Sequence, residues 1–202
     1  ADGNKMGQRF QAVADAHPTA VYNHAYCRQL RVLSEAVAQK ATAALQATVQ
    51  MLVNAIDPRN NKFGGVVPIP VNENGDKVLP FRPIVFGGDD VTFICDGRLG
   101  LSLAKEYLVN YGNQILGDEK PAVGRAGVAI TPSHFPVSRG YDLAEELSGY
   151  AKNAGHNGEV QSIDWHFGTN GIVESISAIR DRSYKVKNGD LSMRPVKLSD
   201  SG

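Results

Sequence analysis

Apolar residues recur at helical spacing through the first quarter of the chain. Within residues 5–16, Met6, Phe10, Val13 and Ala14 share one face, which predicts a short helix. Pro18 interrupts it. Residues 21–55 contain neither glycine nor proline and are rich in Ala, Gln and Leu. Leu30, Leu33, Val37, Ala41, Ala44 and Leu45 follow helical spacing there, so a long helix is expected. Asp57-Pro58-Arg59-Asn60-Asn61 is a strong stop and turn signal. Residues 62–80 hold Gly64-Gly65, Pro68 and Pro70, and predict a loose hairpin or insertion turning at Asn74-Gly75.

The period then shortens. Arg82-Pro-Ile-Val-Phe86 and Val91-Thr-Phe-Ile-Cys95 read as two short β runs, separated by Gly87-Gly88-Asp89-Asp90, which predicts a hairpin with a glycine-rich tip. Asp96 reads as the N-cap of a helix over about 98–112 that carries Leu99, Leu101, Leu103, Tyr107 and Leu108. A strand over 122–130 follows, then a proline-containing loop in which Ser133 reads as a second cap. A helix over about 141–153, a strand over 159–165, a helix over 172–181 and a late edge strand or extended tail over 191–198 complete the pattern. Helices alternating with a hairpin predict an α+β or α/β fold with a mainly antiparallel sheet. The expected organisation is a single domain over 1–202 with a helix-and-loop insertion at about 21–80.

Composition changes this picture little. The chain has 202 residues, 42% apolar and 21% charged, which suits one well-packed domain. Lysine plus arginine balances aspartate plus glutamate at 21 each, so no global basic field favours duplex nucleic acid. Cys27 and Cys95 form no CxxC pair, and the five histidines have no ligand spacing, so a zinc or histidine–metal site is not expected. Cys95, inside an apolar run, reads as a small buried thiol, and Trp165 as core. No apolar run approaches the ~20 residues of a membrane helix, and a cytoplasmic location is expected. Ala1-Asp2-Gly3-Asn4 reads like a strand end and the turn after it, so an upstream segment is expected.

The chemistry concentrates in the hairpin tip. Adjacent carboxylates repel each other, which makes Asp89-Asp90 a poor tip unless a cation neutralises them. Mg²⁺ takes hard oxygen ligands, often one or two carboxylates plus substrate phosphates. Gly87 and Gly88 allow a tight turn and a close approach by phosphate. Two-metal transfer of a phosphoryl or nucleotidyl group needs a further carboxylate from a neighbouring strand end, and Asp2 is the candidate. Taken alone, the tetrapeptide also fits a solvated turn. Lys152 reads equally as a point charge for a triphosphate and as a solvated lysine near a helix C-terminus. The amides of Asn4 to Gly7, at a helix N-terminus, fit either phosphate binding or an ordinary helix start. His134 reads as a loop histidine ahead of a lining for a nucleotide pocket, and Arg180, Arg182 and Lys185 as a solvated helix end ahead of a contact for phosphates or RNA.

Ala1-Asp2-Gly3-Asn4-Lys5-Met6-Gly7-Gln8 resembles the first palm motif of the large polymerase/cyclase subunit of type III CRISPR effector complexes, and Phe86-Gly87-Gly88-Asp89-Asp90-Val91 resembles that family's GGDD hairpin. Gly127-Val128-Ala129-Ile130, His134-Phe135-Pro136, Ala144-Glu145-Glu146-Leu147, Ala151-Lys152, Leu191 and Arg194-Pro195 are similar to later segments in the same order. The chain lacks room for that subunit's other domains, so it looks like an excised palm or a stand-alone minimal CRISPR polymerase. The resemblance implies an α+β ferredoxin-like palm, of the kind shared with GGDEF diguanylate cyclases, with an antiparallel sheet flanked by helices. It implies conversion of ATP to cyclic oligoadenylate second messengers, with pyrophosphate release, in antiphage defence. Asp2, Asp89 and Asp90 would be catalytic. With the Gly3 carbonyl, they would hold Mg²⁺ or Mn²⁺. Gly3, Asn4, Gly7, Gly87, Gly88 and Lys152 would bind nucleotide. Expected partners are a nucleoside triphosphate, a second palm (a homodimer or a paired domain) and RNA-guided effector subunits. The alternatives are a catalytically quiet palm that scaffolds nucleotide or RNA, and a diguanylate cyclase. The latter is disfavoured because Asp89-Asp90-Val91 stands where Glu and Phe would follow the glycines.

Overall fold

The computed structural model describes residues 1–168 and 175–198. β1 (Asp2–Gly3) leads into α1 (Met6–Asp15), and a 3-10 turn (Ala20–Tyr22) into α2 (Asn23–Asn54). β2 (Ile56–Asp57), β3 (Lys62–Phe63) and β4 (Val67–Pro68) precede β5 (Phe81–Gly87), β6 (Asp90–Cys95) and α3 (Gly100–Gly112). Then come β7 (Gly124–Ile130), α4 (Val137–Ala154), β8 (Ser162–Phe167) and α5 (Ile176–Tyr184). β9 (Lys185–Val186), β10 (Gly189–Asp190) and β11 (Val196–Lys197) follow. The fold is α+β. The chain divides into two compact units, a terminal unit of Ala1–Asn4 with Val123–Gly202 and a central unit of Lys5–Ala122.

In the central unit, α2 buries Leu33, Val37, Ala41, Ala44, Leu45, Thr48 and Leu52. This is the stripe the sequence spacing predicts, extended by two turns, with Leu30 only half-buried. α3 packs along α2 and buries Leu103, Ala104, Tyr107, Leu108 and Tyr111. Near its C-terminal end, α2 supplies Leu52 to a core with Phe63, Val67, Ile69 and Leu103, onto which Phe81, Phe93 and Cys95 also pack. Burial pushes the Cys95 thiol up to about 12, with Asp96 adding to the shift, as befits a thiol that serves as a small apolar group. The 57–61 turn joins β2 to β3, and β4 adds a third short antiparallel strand. A smaller turn does form at Asn74-Gly75: Val71 bridges Lys77, and Asn72 Oδ1 accepts from the Asn74 and Asp76 amides.

The base of the β5–β6 hairpin is anchored in that core, with the Phe81 and Phe93 rings 4.7 Å apart. Its ladder runs further than the sequence suggests. Gly87 pairs with Asp90, so the loop is the two residues Gly88-Asp89 rather than four. Gly88 has φ 61°, the left-handed value that a two-residue II′ turn asks of glycine at its first position. Asp96 is not the cap of α3, whose N-cap position is Leu99. Instead the Asp96 carboxylate accepts from the Arg98 amide and side chain, closing a turn one step before the helix.

The terminal unit is built on a four-stranded sheet in the order β1-β7-β8-β11. β1 is antiparallel to β7, and β11 is antiparallel to β8. β7 and β8 are parallel, so this sheet is mixed, while the other strand pairings among the described residues are antiparallel, as expected. The cause of the parallel pair is the connection: α4 carries the chain back across the sheet, and such a crossover delivers a parallel strand. β11 is the expected edge strand. α4 begins at Val137, four residues earlier than predicted, with Pro136 rather than Ser133 at its N-cap position. Proline is tolerated at a helix start, so Pro136 and Gly140 misplace the boundary when read as loop residues. β8 starts and ends later than predicted, and α5 begins at Ile176 with Ser175 as its cap. Residues 172–174 of the predicted helix lie outside the described residues. The hairpin of β9 and β10 was not foreseen.

α4 lies directly on β7 and β8 and contributes Leu143, Leu147 and Ala151, with Ile176 of α5 packed against Leu143 and Leu147. A Cβ on Gly127 would sit 2.0 Å from the Ala144 carbonyl and 2.5 Å from the Ser148 amide. Only a bare backbone fits between strand and helix there. Gly127→Ala is expected to destabilise the chain by about 2 kcal/mol or more, because backbone must move. Gly149, on the exposed side of α4, has nothing within 4 Å of its Cβ position. Gly149→Ala is expected to stabilise by up to about 1 kcal/mol through helix propensity. Urea melts of the pair test this, and equal effects would contradict the packing account.

Candidate functional site

The predicted site residues fall into the two units. Asp89 and Asp90 are held side by side in the central unit, Asp89 half-buried in the loop and Asp90 exposed at the first position of β6. Gly87 and Gly88 are exposed, and neither would meet another atom within 4 Å of an added Cβ. The tip therefore has open space over its backbone, while its base is fixed by aromatic packing. Gly7 is exposed in the first turn of α1. Arg9, two residues on, pairs with Asp118 at 2.8 Å, which ties α1 to the loop after α3.

Asp2, Gly3, Asn4 and Lys152 belong to the terminal unit. Asp2 is half-buried, and Gly3 and Asn4 are buried. Lys152 is exposed in the last turn of α4, a position that suits a cation whether or not a ligand is present. The phosphate role proposed for the Asn4 amide is corrected: that N–H donates to the Val123 carbonyl at 2.7 Å. Lys5, with φ 59°, then turns the chain into α1. His134 lies exposed in its loop, as expected.

One buried cation beside the first candidate residues escaped sequence reasoning. Arg125 stands directly across the ladder from Asp2. Its guanidinium donates through Nη2 to Asp2 Oδ2, and through Nη1 to Asn4 Oδ1 at 2.7 Å. The Gly3 carbonyl accepts from the same Nη1 at 3.5 Å, the limit of a hydrogen bond. Arg125 is largely buried, with 14% of its side chain exposed. It is the single charged residue in β7, and a lone arginine among Gly, Ala, Val and Ile is the signal that could have found it.

A second missed feature lies on β8. Asp164 is fully buried, and its Oδ1 accepts from Arg180 Nη2 at 2.7 Å and from the Trp165 amide at 2.8 Å. Arg180 is thus not part of a solvated helix end, whereas Lys185, paired with Asp181, is. The Arg180 guanidinium also lies over the Tyr150 ring, and the half-buried Trp165 faces Arg194. Breaking such a buried pair from one side costs about 3–5 kcal/mol, which makes it an anchor between β8 and α5. No protein-family model matches the chain, and a search of curated proteins returns no match.

His166 shares the sheet face of Asp164, two residues on, and is buried. Burial pushes its imidazole below the ordinary value. Arg194 and Arg180 add to the push, and Asp164 opposes it. An unfolded histidine takes up its proton near pH ~6.5, while the folded one resists. Stability associated with His166 is therefore intact above about pH 6.5 and is lost as pH falls below it, because the unfolded state binds the extra proton. Between about pH 7.5 and 5.5, the melting temperature of His166→Gln is expected to fall less than that of the unaltered chain. Identical slopes would show that His166 titrates alike in both states.

Proposed function

We propose that the chain is a metal-dependent nucleotidyltransferase of the palm type. It would convert ATP to cyclic oligoadenylate with release of pyrophosphate, as part of CRISPR-type antiphage defence. The observation that carries this is the pair of adjacent carboxylates, Asp89 and Asp90, on a rigid hairpin whose turn glycines leave open space for phosphate.

The donor set fits the ion. Carboxylates of Asp2, Asp89 and Asp90 with the Gly3 carbonyl are hard oxygen ligands suited to Mg²⁺ or Mn²⁺, and no soft ligand is required. The bound cations would supply a lowered pKa for an attacking hydroxyl and neutralisation of phosphate charge. The chain's own residues do the positioning, which is most of what such transfer needs. Gly87 and Gly88 admit the phosphates close to the backbone. Lys152 meets the triphosphate as a point charge. The central unit supplies Asp89 and Asp90 at its hairpin tip, and Asp2 of the terminal unit is the candidate for the further carboxylate. Ring closure between nucleotides is easier with two palms facing each other, so the working form is a homodimer or a pair with a second palm, to which RNA-guided effector subunits are further candidate partners.

The purified chain with Mg²⁺ or Mn²⁺ and each labelled nucleoside triphosphate provides the test. Cyclic oligoadenylate is expected from ATP, and Asp89→Asn/Asp90→Asn is expected to lose at least about 10³-fold in rate, ~4 kcal/mol of barrier. The same variant is expected to melt at or above the unaltered temperature without metal, because it removes repulsion between neighbouring carboxylates. Product from GTP alone would mean a diguanylate cyclase. Nucleotide binding without pyrophosphate release would mean a scaffold module.

A further inference from the structure

The first palm-like motif is held by one arginine. Arg125 reaches three consecutive residues: Asp2 through its carboxylate, Gly3 through its carbonyl and Asn4 through its side-chain amide oxygen. Two of these, Asp2 and Gly3, are the oxygens that the proposed function gives to the divalent cation. A guanidinium and a divalent cation drawing on one carboxylate share its single negative charge, so each weakens the other's hold. Their like charges also oppose each other at short range.

The three contacts differ in how firmly they are held. Asn4 is 1% exposed. Its amide is bonded to Val123, and Gly158, with φ 87°, packs so closely that a Cβ there would lie 3.1 Å from Asn4 Cβ and Cγ. Asn4 is therefore a fixed post. Asp2 is less enclosed, with 32% of its side chain exposed. Arginine suits such a bridge because its two Nη groups diverge in a rigid plane and can serve separate acceptors at once.

We infer that Arg125 is a positioning residue that competes with the divalent cation for Asp2, keeping its hold on Asn4 while releasing Asp2 Oδ2 when the cation binds. The inference rests on the metal reading of Asp2 given under the proposed function. Arg125 thereby sets the rotamer of Asp2 before metal arrives and lowers metal affinity at Asp2 by the work of separating the pair. Once released, the guanidinium remains tethered at Asn4, where its charge is available to a phosphate group.

Mn²⁺ binding to the intact chain without nucleotide, followed by the electron paramagnetic resonance signal of free Mn²⁺, tests this. Arg125→Gln is expected to bind Mn²⁺ at least about threefold more tightly than the unaltered chain, since a competing positive charge is gone. Arg125→Lys is expected to fall between them, because it keeps the charge but loses the fork. In an Asp2→Asn background, Arg125→Gln is expected to change nothing, which isolates the coupling between the two side chains. A protein that merely loses structure at β1 would bind more weakly, not more tightly. Should Arg125→Gln fail to fold, Arg125→Lys carries the same sign. Equal or weaker binding in the Arg125 variants, with Mn²⁺ binding that still depends on Asp2, Asp89 and Asp90, overturns the role of Arg125 and leaves the metal reading standing. Mn²⁺ binding indifferent to Asp2→Asn and to Asp89→Asn/Asp90→Asn overturns both.

Discussion

The close approach of α4 to β7 at Gly127 is the constraint on which the terminal unit turns. Helix backbone lies where a side chain would otherwise stand, so β7 can take only one position beneath α4. That position fixes three things at once. It sets the parallel register with β8, which carries the buried Asp164–Arg180 pair. It sets the antiparallel register with β1, which brings Asp2 opposite Arg125. It also seats Leu143 and Leu147 over the sheet, against Ile176. Interiors packed to this density transmit small changes rather than absorb them. β1 is tied to β7 by its ladder and by the Arg125 guanidinium.

The central unit solves a different problem. Two adjacent carboxylates stand at a hairpin tip whose glycines have open space around them. The hairpin separates its ends: aromatic and aliphatic residues at the base enter the core between α2 and α3, while glycines at the tip carry no bulk. Rigid support under an open tip suits groups whose task is to hold cations and phosphates in place. It also explains why repulsion between Asp89 and Asp90 is tolerable: Asp90 is exposed, where water screens the charge.

Local features of the chain were legible before the structure. The α2 stripe, the two β runs around Gly87-Gly88 and the turn at Asn74-Gly75 all follow from spacing within a few residues. Boundaries slipped where helix starts tolerate residues that read as breakers, as at Pro136 and Gly140. The hairpin loop shrank from four residues to two because Gly87 and Asp90 pair across the ladder, which composition does not reveal. Non-local pairing was beyond reach. Arg125 and Asp2 are 123 residues apart, and Arg180 was read as a solvated helix end because its partner Asp164 lies on another element. The candidate carboxylates could thus be named from sequence, while the cation that already holds one of them could not.

The central claim is that the Asp89–Asp90 tip holds divalent cations against the phosphates of a nucleotide. Anomalous scattering from crystals grown with Mn²⁺ and a non-hydrolysable ATP analogue tests it most directly. Manganese liganded by Asp89 or Asp90, against the analogue's phosphates, is the predicted result. Phosphates bound elsewhere, with no manganese at Asp89 or Asp90, would contradict it.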